Sequence, residues 1–252
     1  MSIVEVPLSN KKSAGSEATF GDIAYHYQKW ENLFIFFKNE SMKNKKMAQR
    51  LCVPNIDNKW MGGFLSIKLT KRNLDESELL LYNPRPKDPS ISVCDFTKSI
   101  KKCKQRFIVI AVTILWDGKT GAHANIILID TKKLTIELFE PHGKQTEETT
   151  FSGITGGYYI ISRQLKQFFK IQLPNFKFIT PEYYLSTFNL QQNDPEDYGG
   201  LCISWGIMYV YYRILNPTKT QRAIAQHMKK KVNKNRILKF VQYVEEISKQ
   251  KY

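Results

Sequence analysis

The sequence predicts an α+β fold in which a helix packs against a mostly antiparallel sheet, with a helical lobe on the N-terminal side. Three segments support this prediction. Residues 107–116 are rich in β-branched and aromatic side chains, as a buried central strand would be. Residues 124–130 and 134–139 are two strand-like runs joined by a short polar link, which predicts a hairpin. Residues 202–215 form an apolar segment long enough for a buried helix.

The N-terminal half is predicted to be mainly helical. Residues 1–19 are polar and small and lack periodic apolar positions, so they predict a flexible leader. Residues 20–105 are predicted to form the helical lobe. Within it, apolar positions from 23 to 37 recur at spacings of three and four, which indicates one helix, and a second is expected over 42–51. Residues 65–69 alternate apolar and polar side chains like a half-buried strand.

The C-terminal half holds the rest of the predicted sheet and two more helices. We expect a helix over 158–169 and a strand over 176–180. Residues 106–217 would then make the functional core, and 218–252 a basic helical segment. At 252 residues, the chain is expected to form one compact domain overall.

The charge is strongly unbalanced. Lys and Arg number 38 against 23 Asp and Glu, giving a net charge of +15. Basic runs lie at 43–50, 98–106 and 229–236. Such an excess attracts nucleic acid, acidic proteins or anionic lipid, and leaves open a non-catalytic polyanion-binding role.

The sequence lacks the marks of a membrane or secreted protein. Its longest mostly apolar stretch, residues 201–212, is well short of the ~20 residues that a membrane-spanning helix needs. No secretory signal pattern begins the chain, so we expect an intracellular protein, in the cytoplasm of a host cell or within a virion. The four cysteines form no CxxC pair, which argues against zinc and disulfides and predicts reduced thiols.

Three residues form the most informative pattern. His123 lies near the start of one predicted strand, Glu140 at the end of the next, and Cys202 at the start of a helix after two glycines. In an antiparallel hairpin the start of one strand lies near the end of its neighbour. The Glu140 carboxylate can therefore orient the His123 imidazole. A helix N-terminus and a protonated histidine both favour the thiolate of Cys202. The pattern therefore predicts an activated nucleophile.

Other residues compete for these roles. His142 follows Glu140 by two residues and is a rival base. Asp130 and Glu137 are rival acids, since they also lie on the predicted hairpin. A single cysteine in an apolar segment is in general more often a packing residue than a nucleophile. The ordered trio and the flanking glycines favour catalysis here.

The order His, acidic residue, Gln, Gly-x-Cys resembles a family of cysteine proteases. This family includes the SUMO- and ubiquitin-like-protein-specific proteases, the adenovirus protease, and the core proteases of poxviruses and other large DNA viruses. The segments GAHANIILID and DYGGLCISWGIMYVYYRILNP are most similar to the versions of large DNA viruses. The resemblance covers roughly residues 106–217.

The resemblance implies a papain-like cysteine protease core that needs no metal or cofactor. His123 would be the general base, Glu140 its orienting acid and Cys202 the nucleophile. Gln191 or Gln192 would donate its amide to the oxyanion. The substrate would be a protein cut after a Gly-Gly-like site, either a ubiquitin-like modifier or a viral precursor, and any nucleic-acid contact would be non-specific and made by the basic runs.

The sequence also departs from the family pattern. Six residues, 193–198, stand between the glutamines and the glycines, more than is usual in the family. Ala124 follows the histidine where cellular members have Trp. The acid is Glu140 rather than the commoner Asp, which resembles the acetyltransferases of the YopJ type. An acyltransferase that uses the same triad is therefore the alternative enzyme.

Overall fold

A computed structural model gives the architecture of the chain. It describes residues 2–10, 30–52, 64–69, 78–82, 93–116, 122–144, 150–151, 154–155, 157–185 and 201–250. The helices and strands in these ranges make a mixed α+β protein. None of the described helices has both the length and the apolar character needed to cross a bilayer.

Seven of the described strands form one sheet. In chain order they are β1 (Leu51–Cys52), β2 (Phe64–Leu69), β3 (Glu78–Tyr82), β4 (Phe107–Trp116), β5 (Ala122–Asp130), β6 (Thr135–Phe139) and, after two short strands, β9 (Lys177–Ile179). Their spatial order is β3-β2-β4-β5-β6-β9, and β1 pairs with β4 at the end that β2 leaves open. The short strands β7 (Thr150–Phe151) and β8 (Ile154–Thr155) form a separate hairpin.

The sheet is mixed, and most of its paired residues are antiparallel, as the sequence predicts. Antiparallel pairing joins β2 to β3, β4 to β5, and β5 to β6. Parallel pairing joins β4 to both β1 and β2, and β6 to β9. The predicted hairpin of β5 and β6 lies at the centre of the antiparallel part, and its register sets the candidate site.

Seven α-helices are described. They are α1 (Trp30–Lys43), α2 (Lys45–Arg50), α3 (Val93–Lys102), α4 (Gly157–Gln172), α5 (Cys202–Leu215), α6 (Gln221–Lys231) and α7 (Lys234–Ser248). A short 3₁₀ turn covers Pro181–Tyr183. Side chains of Asn44, Thr220 and Asn233 cap the first turns of α2, α6 and α7 by accepting backbone N–H bonds.

Helices cover both faces of the sheet. Successive side chains of β4 point to opposite faces, so Phe107 and Val109 join the core under α5 and α7, whereas Ile108 and Ile110 join the core under α4. A strand buried on both faces has no polar side to maintain, which explains its uninterrupted apolar run.

The nucleophile helix predicted from the sequence, α5, lies close against β5. A Cβ on Gly206 would come within 2.5 Å of Ile126 Cδ1. The absence of a side chain at this position therefore allows the helix backbone to approach the central hairpin. This contact fixes the start of α5 relative to the strand that carries His123.

The structure corrects the predicted N-terminal organisation. Residues 2–10 are not a flexible leader, because Val6 is buried and the backbone N–H of Ser9 donates to Lys239 O in α7 at 3.1 Å. Residues 11–19 lie outside the described part of the chain. The segment 20–105 is not a helical lobe, since β1, β2 and β3 belong to the central sheet.

The expectation of reduced thiols is wrong for one pair. Cys52 at the end of β1 and Cys103 after α3 form a disulfide. Both residues flank the N-terminal end of β4, to which β1 pairs through Cys52 and Ile108. Sequence spacing could not reveal this bond because the two cysteines are 51 positions apart.

Candidate active site

The register of the central hairpin brings four polar residues to one end of the sheet. Pairing between β5 and β6 ends at Ile126 and Phe139. The same register, continued beyond the last pair, sets Asn125 opposite Glu140 and His123 opposite His142. His123 and Glu140 are therefore diagonal neighbours rather than direct partners across the strands.

His123 and Glu140 form a buried ion pair. The imidazole Nε2 lies 2.9 Å from Glu140 Oε1 and 3.1 Å from Oε2. The two side chains are 4% and 2% exposed. Exclusion of water at this depth strengthens the attraction between imidazolium and carboxylate.

Two further donors hold the Glu140 carboxylate. Asn125 Nδ2 donates to Oε2 at 2.8 Å, and the backbone N–H of His142 donates to Oε1 at 2.9 Å. Each carboxylate oxygen thus accepts one neutral donor in addition to the imidazole. A buried carboxylate with this many donors stays ionised.

Cys202 contacts the same imidazole from the start of α5. An interaction between the Cys202 side chain and the ring is among the causes that raise the pKa of His123. Because Nε2 is engaged by Glu140, Nδ1 is the ring nitrogen left for this contact. Cys202 is buried and is not part of a disulfide. The structure therefore brings together the three residues of the sequence pattern.

The first turn of α5 can serve a developing negative charge. Leu201 is the N-cap residue, and its side chain makes no capping hydrogen bond. The first N–H groups of a helix have no partner inside the helix, and such groups can bind an anion. The positive end of the helix dipole acts at the same place.

The environment favours the charged forms of His123 and Glu140. Burial on its own would lower the pKa of His123, but the negative charge of Glu140 and the hydrogen bonds that the ring makes with Cys202 and Glu140 raise it to about 10. Burial would likewise raise the pKa of Glu140, yet the charge and hydrogen bond of His123 lower it. The pair is an imidazolium and a carboxylate at neutral pH.

The rival acids are engaged elsewhere. Asp130 accepts two hydrogen bonds from Arg106, at 2.9 and 2.8 Å, at the opposite end of β5. Glu137 accepts from Arg213 on α5, at 2.9 and 2.7 Å, and this pair is fully buried. Neither carboxylate is the one that holds His123.

The rival base lies beside His123. The rings of His123 and His142 have centroids 4.8 Å apart. His142 bonds Glu140 through its backbone N–H, whereas His123 uses its ring. The ring that contacts both the carboxylate and the thiol is that of His123, so the geometry favours it as the base.

Some site predictions fall outside the described residues. Gln191, Gln192 and the two glycines before Leu201 are among them. Asn125 is the residue that sequence reasoning missed. The signal was present, because Asn125 follows His123 by two positions on a predicted strand and so shares its face.

Three residues of the site also carry metal-ligating atoms. The donor atoms of His123, Glu140 and His142 lie within 4.8 Å of one another. Nε2 of His123 and both oxygens of Glu140 are already joined by hydrogen bonds.

Comparisons with known proteins give only a distant likeness. No family model and no curated protein matches the sequence. The Chlamydia trachomatis effector protein ChlaDUB1 shares 9% identity at a TM-score of 0.39, over 61% of each chain. The Legionella pneumophila effector protein RavZ shares 14% identity at a TM-score of 0.39, over 79% of this chain and 50% of RavZ.

These two likenesses do not decide the function. The chain covers less than two thirds of either protein, and TM-scores this low carry no argument about chemistry. Both are bacterial effector proteins, so the resemblance to viral and SUMO-specific proteases stays a prediction.

Proposed function

We propose that this protein is a cysteine protease or isopeptidase. The observation that carries the proposal is the buried His123 imidazolium, held by Glu140 on one side and in contact with the Cys202 thiol at the start of α5 on the other. A thiol beside an imidazolium and a helix N-terminus has the environment of an activated nucleophile.

Acylation follows from this arrangement. The Cys202 thiolate attacks the scissile carbonyl carbon, and the carbonyl π electrons move to oxygen. The backbone N–H of Cys202, together with Gln191 or Gln192, donates to that oxyanion. His123 gives its Nδ1 proton to the leaving amine, so the C–N bond breaks and a thioester remains.

Deacylation uses the same groups in reverse. His123, now neutral, accepts a proton from water as the water oxygen attacks the thioester carbon. Collapse of the second oxyanion breaks the C–S bond and returns the thiolate beside a protonated His123. Throughout, Glu140 keeps its charge and holds the ring by Nε2.

The proposed substrate is a protein with small residues, such as Gly-Gly, before the cut. This part of the proposal rests on the family resemblance, which implies a narrow channel for the substrate chain. Ubiquitin-like modifiers and viral precursor proteins both contain such sites and are the two substrate classes proposed.

A C-terminal electrophile tests the proposal directly. Ubiquitin and SUMO ending in a thiol-reactive group after Gly-Gly are incubated with the protein, and adducts are measured by mass spectrometry. We expect one adduct at Cys202 and none in Cys202→Ala. Cys52→Ala with Cys103→Ala is the matched control, because it removes two cysteines away from the site and should still react.

Two results would overturn the proposal. The first is an adduct that persists in folded Cys202→Ala, because another nucleophile would then be acting. The second is a failure of both electrophiles and of a Gly-Gly-containing peptide library, combined with acyl transfer from an acyl-coenzyme A to a lysine. That result would favour the acyltransferase that uses the same triad.

Nucleic-acid contact is a minor part of the proposal. Lys229, Lys230 and Lys231 are exposed in the last turn of α6. Arg236, from the same basic run, forms an ion pair with Glu5. If the exposed lysines bind phosphates, DNA association should weaken with salt at a log-log slope of about 0.9 per contact, and their replacement by Gln should flatten that slope.

A further inference from the structure

We propose that Asn125 is the positioning residue of this site: it fixes the Glu140 carboxylate at the angle that holds His123. The inference rests on the proposed function, since it assigns a task within that catalytic group. It stands on three independent observations, namely the strand register, the donors on Glu140 and an orphan acceptor on Asn125.

The register explains why Glu140 needs a positioning residue. Continued past Ile126 and Phe139, it sets Glu140 opposite Asn125 and one pair away from His123. Side chains on diagonal positions are separated by roughly 7–8 Å between their Cα atoms, so the carboxylate must lean along the strand to reach the imidazole. A leaning side chain keeps its direction only if other groups hold it.

The donors on Glu140 supply that hold. Asn125 Nδ2 binds Oε2 at 2.8 Å, and the backbone N–H of His142 binds Oε1 at 2.9 Å. With one neutral donor on each oxygen, the plane of the carboxylate is defined, and both oxygens face His123 Nε2 at 2.9 and 3.1 Å. Of these two donors, Asn125 is the one that donates through its side chain, so a substitution can test its role.

An amide suits this position better than other side chains of its size. It donates to the carboxylate without adding charge, so the imidazolium and Glu140 remain a balanced pair. An aspartate would place a second carboxylate within hydrogen-bonding distance. An alanine or leucine would leave Oε2 buried with one donor fewer, which is unfavourable for an ionised oxygen.

The amide orientation that lets Asn125 Nδ2 donate to Glu140 has a cost at the other end of the amide. Its Oδ1 is buried and finds no hydrogen-bond partner among the described residues. Buried polar atoms are nearly always paired in native proteins, so an orphan acceptor calls for an explanation. The Nδ2 bond to Glu140 provides one, because it dictates which end of the amide faces the carboxylate.

Steady-state kinetics with a fluorogenic peptide ending in Gly-Gly test the role. Asn125→Ala should lower kcat by about 10- to 100-fold, the value of a hydrogen bond to a charged group, and leave KM unchanged. Asn39→Ala is the matched control, since Asn39 is equally buried and donates to Ile247 O and Gln250 O at 2.8 and 2.9 Å, between α1 and α7. It should cost stability without changing kcat.

The conservative variant gives a readout that a structural role would not move. In Asn125→Asp, the two adjacent carboxyl groups share one proton at acidic pH, and the protonated one can donate to the other as the amide does. Activity should therefore recover as the pH is lowered toward 5 and fall by about 10- to 100-fold near pH 8. A pH profile that runs parallel to the native one would overturn the proposal.

A spectroscopic arm separates this inference from the proposed function. In the Cys202→Ala background, which needs no turnover, the His123 Nε2 proton should exchange slowly and give a resolved resonance. Adding Asn125→Ala should speed the exchange of this proton about 10-fold or more, because the Glu140 carboxylate loses one of its hydrogen-bond donors. Unchanged exchange in the folded variant would overturn the positioning role even if the protein proves to be a protease.

Discussion

Strand β6 and the turn after it carry two buried glutamates three residues apart, Glu137 and Glu140, and the two hold different cations. Glu137 binds Arg213 in the middle of α5, and it also accepts from Tyr209 at 2.9 Å and Gln221 at 2.7 Å. Glu140 binds His123 at the strand end. The same side chain thus serves two buried ion pairs on one element.

The difference between the pairs lies in whether the cation can release its proton. Burial alone would lower the pKa of Arg213, but its bonds and attraction to Glu137 raise it above its already high usual value. Arg213 is therefore a permanent cation, and its pair ties α5 to β6. His123 has a pKa of about 10, so it can exchange a proton during a reaction. One pair suits scaffolding and the other suits chemistry.

Removal of each cation should separate the two roles most clearly. His123→Ala should lower kcat/KM by about 10⁴-fold, because general acid and base catalysis are both lost. The fold should survive with some loss of stability, since Glu140 keeps the bonds from Asn125 and the His142 N–H but loses its cation. Kinetics with a Gly-Gly peptide and thermal melting measure both effects. If His142→Ala proves the more damaging change in rate, the wrong histidine has been assigned.

Arg213→Ala should act on stability instead. It leaves Glu137 charged and buried without its cation, which typically costs about 3–5 kcal/mol of unfolding free energy. Urea unfolding measures this loss. Replacement of the whole pair by Glu137→Leu with Arg213→Met should recover most of it, because no uncompensated charge remains. A double variant no more stable than Arg213→Ala would contradict the structural role assigned to this pair.

Glu140→Gln should have a smaller effect on rate than His123→Ala. The glutamine oxygen can still accept from Nε2 and orient the ring, but the charge that keeps the imidazole protonated is lost, and we expect about a 10²-fold fall in kcat. The corresponding change Glu137→Gln should alter unfolding more than turnover. The comparison fails if Glu137→Gln lowers kcat more than Glu140→Gln in proteins that remain folded.

A change of pH perturbs the protein least, and it should still distinguish the His123–Glu140 pair from the Arg213–Glu137 pair. The raised pKa of His123 contributes stability that is complete below its usual value of 6.5 and is lost as the pH rises through about 10. The lowered pKa of Glu140 contributes stability that is present above 4.5 and lost as the pH falls further. The kcat/KM profile should therefore fall on the alkaline side near 10, measured with enzyme shown to stay folded there.

The control for this profile is Glu140→Gln. Without the carboxylate, the alkaline fall should move to lower pH, because the charge that raises the pKa of His123 is gone. The Arg213–Glu137 pair should stabilise the fold equally below and above the alkaline fall, since Arg213 does not lose its proton there. An alkaline fall that stays in place in Glu140→Gln would show that another group controls it.

The sequence by itself determined the elements whose pattern is local. The central strand Phe107–Trp116 and the helix Cys202–Leu215 match their predicted bounds. The hairpin that places His123 near Glu140 also follows from two strand-like runs and a short link. Each follows from the composition of one short continuous segment, which neighbouring positions reveal.

Only the tertiary structure decided which distant residues meet. It placed β1 and β2 in the sheet, joined Cys52 to Cys103, and assigned Arg106 to Asp130 and Arg213 to Glu137. Periodicity says which face a residue occupies but not what lies across from it, because partners far apart in the chain are chosen by packing and register together. Asn125 shows both sides of this: spacing along one strand places it on the face of His123, but only the register of two strands brings its Nδ2 to 2.8 Å from Glu140.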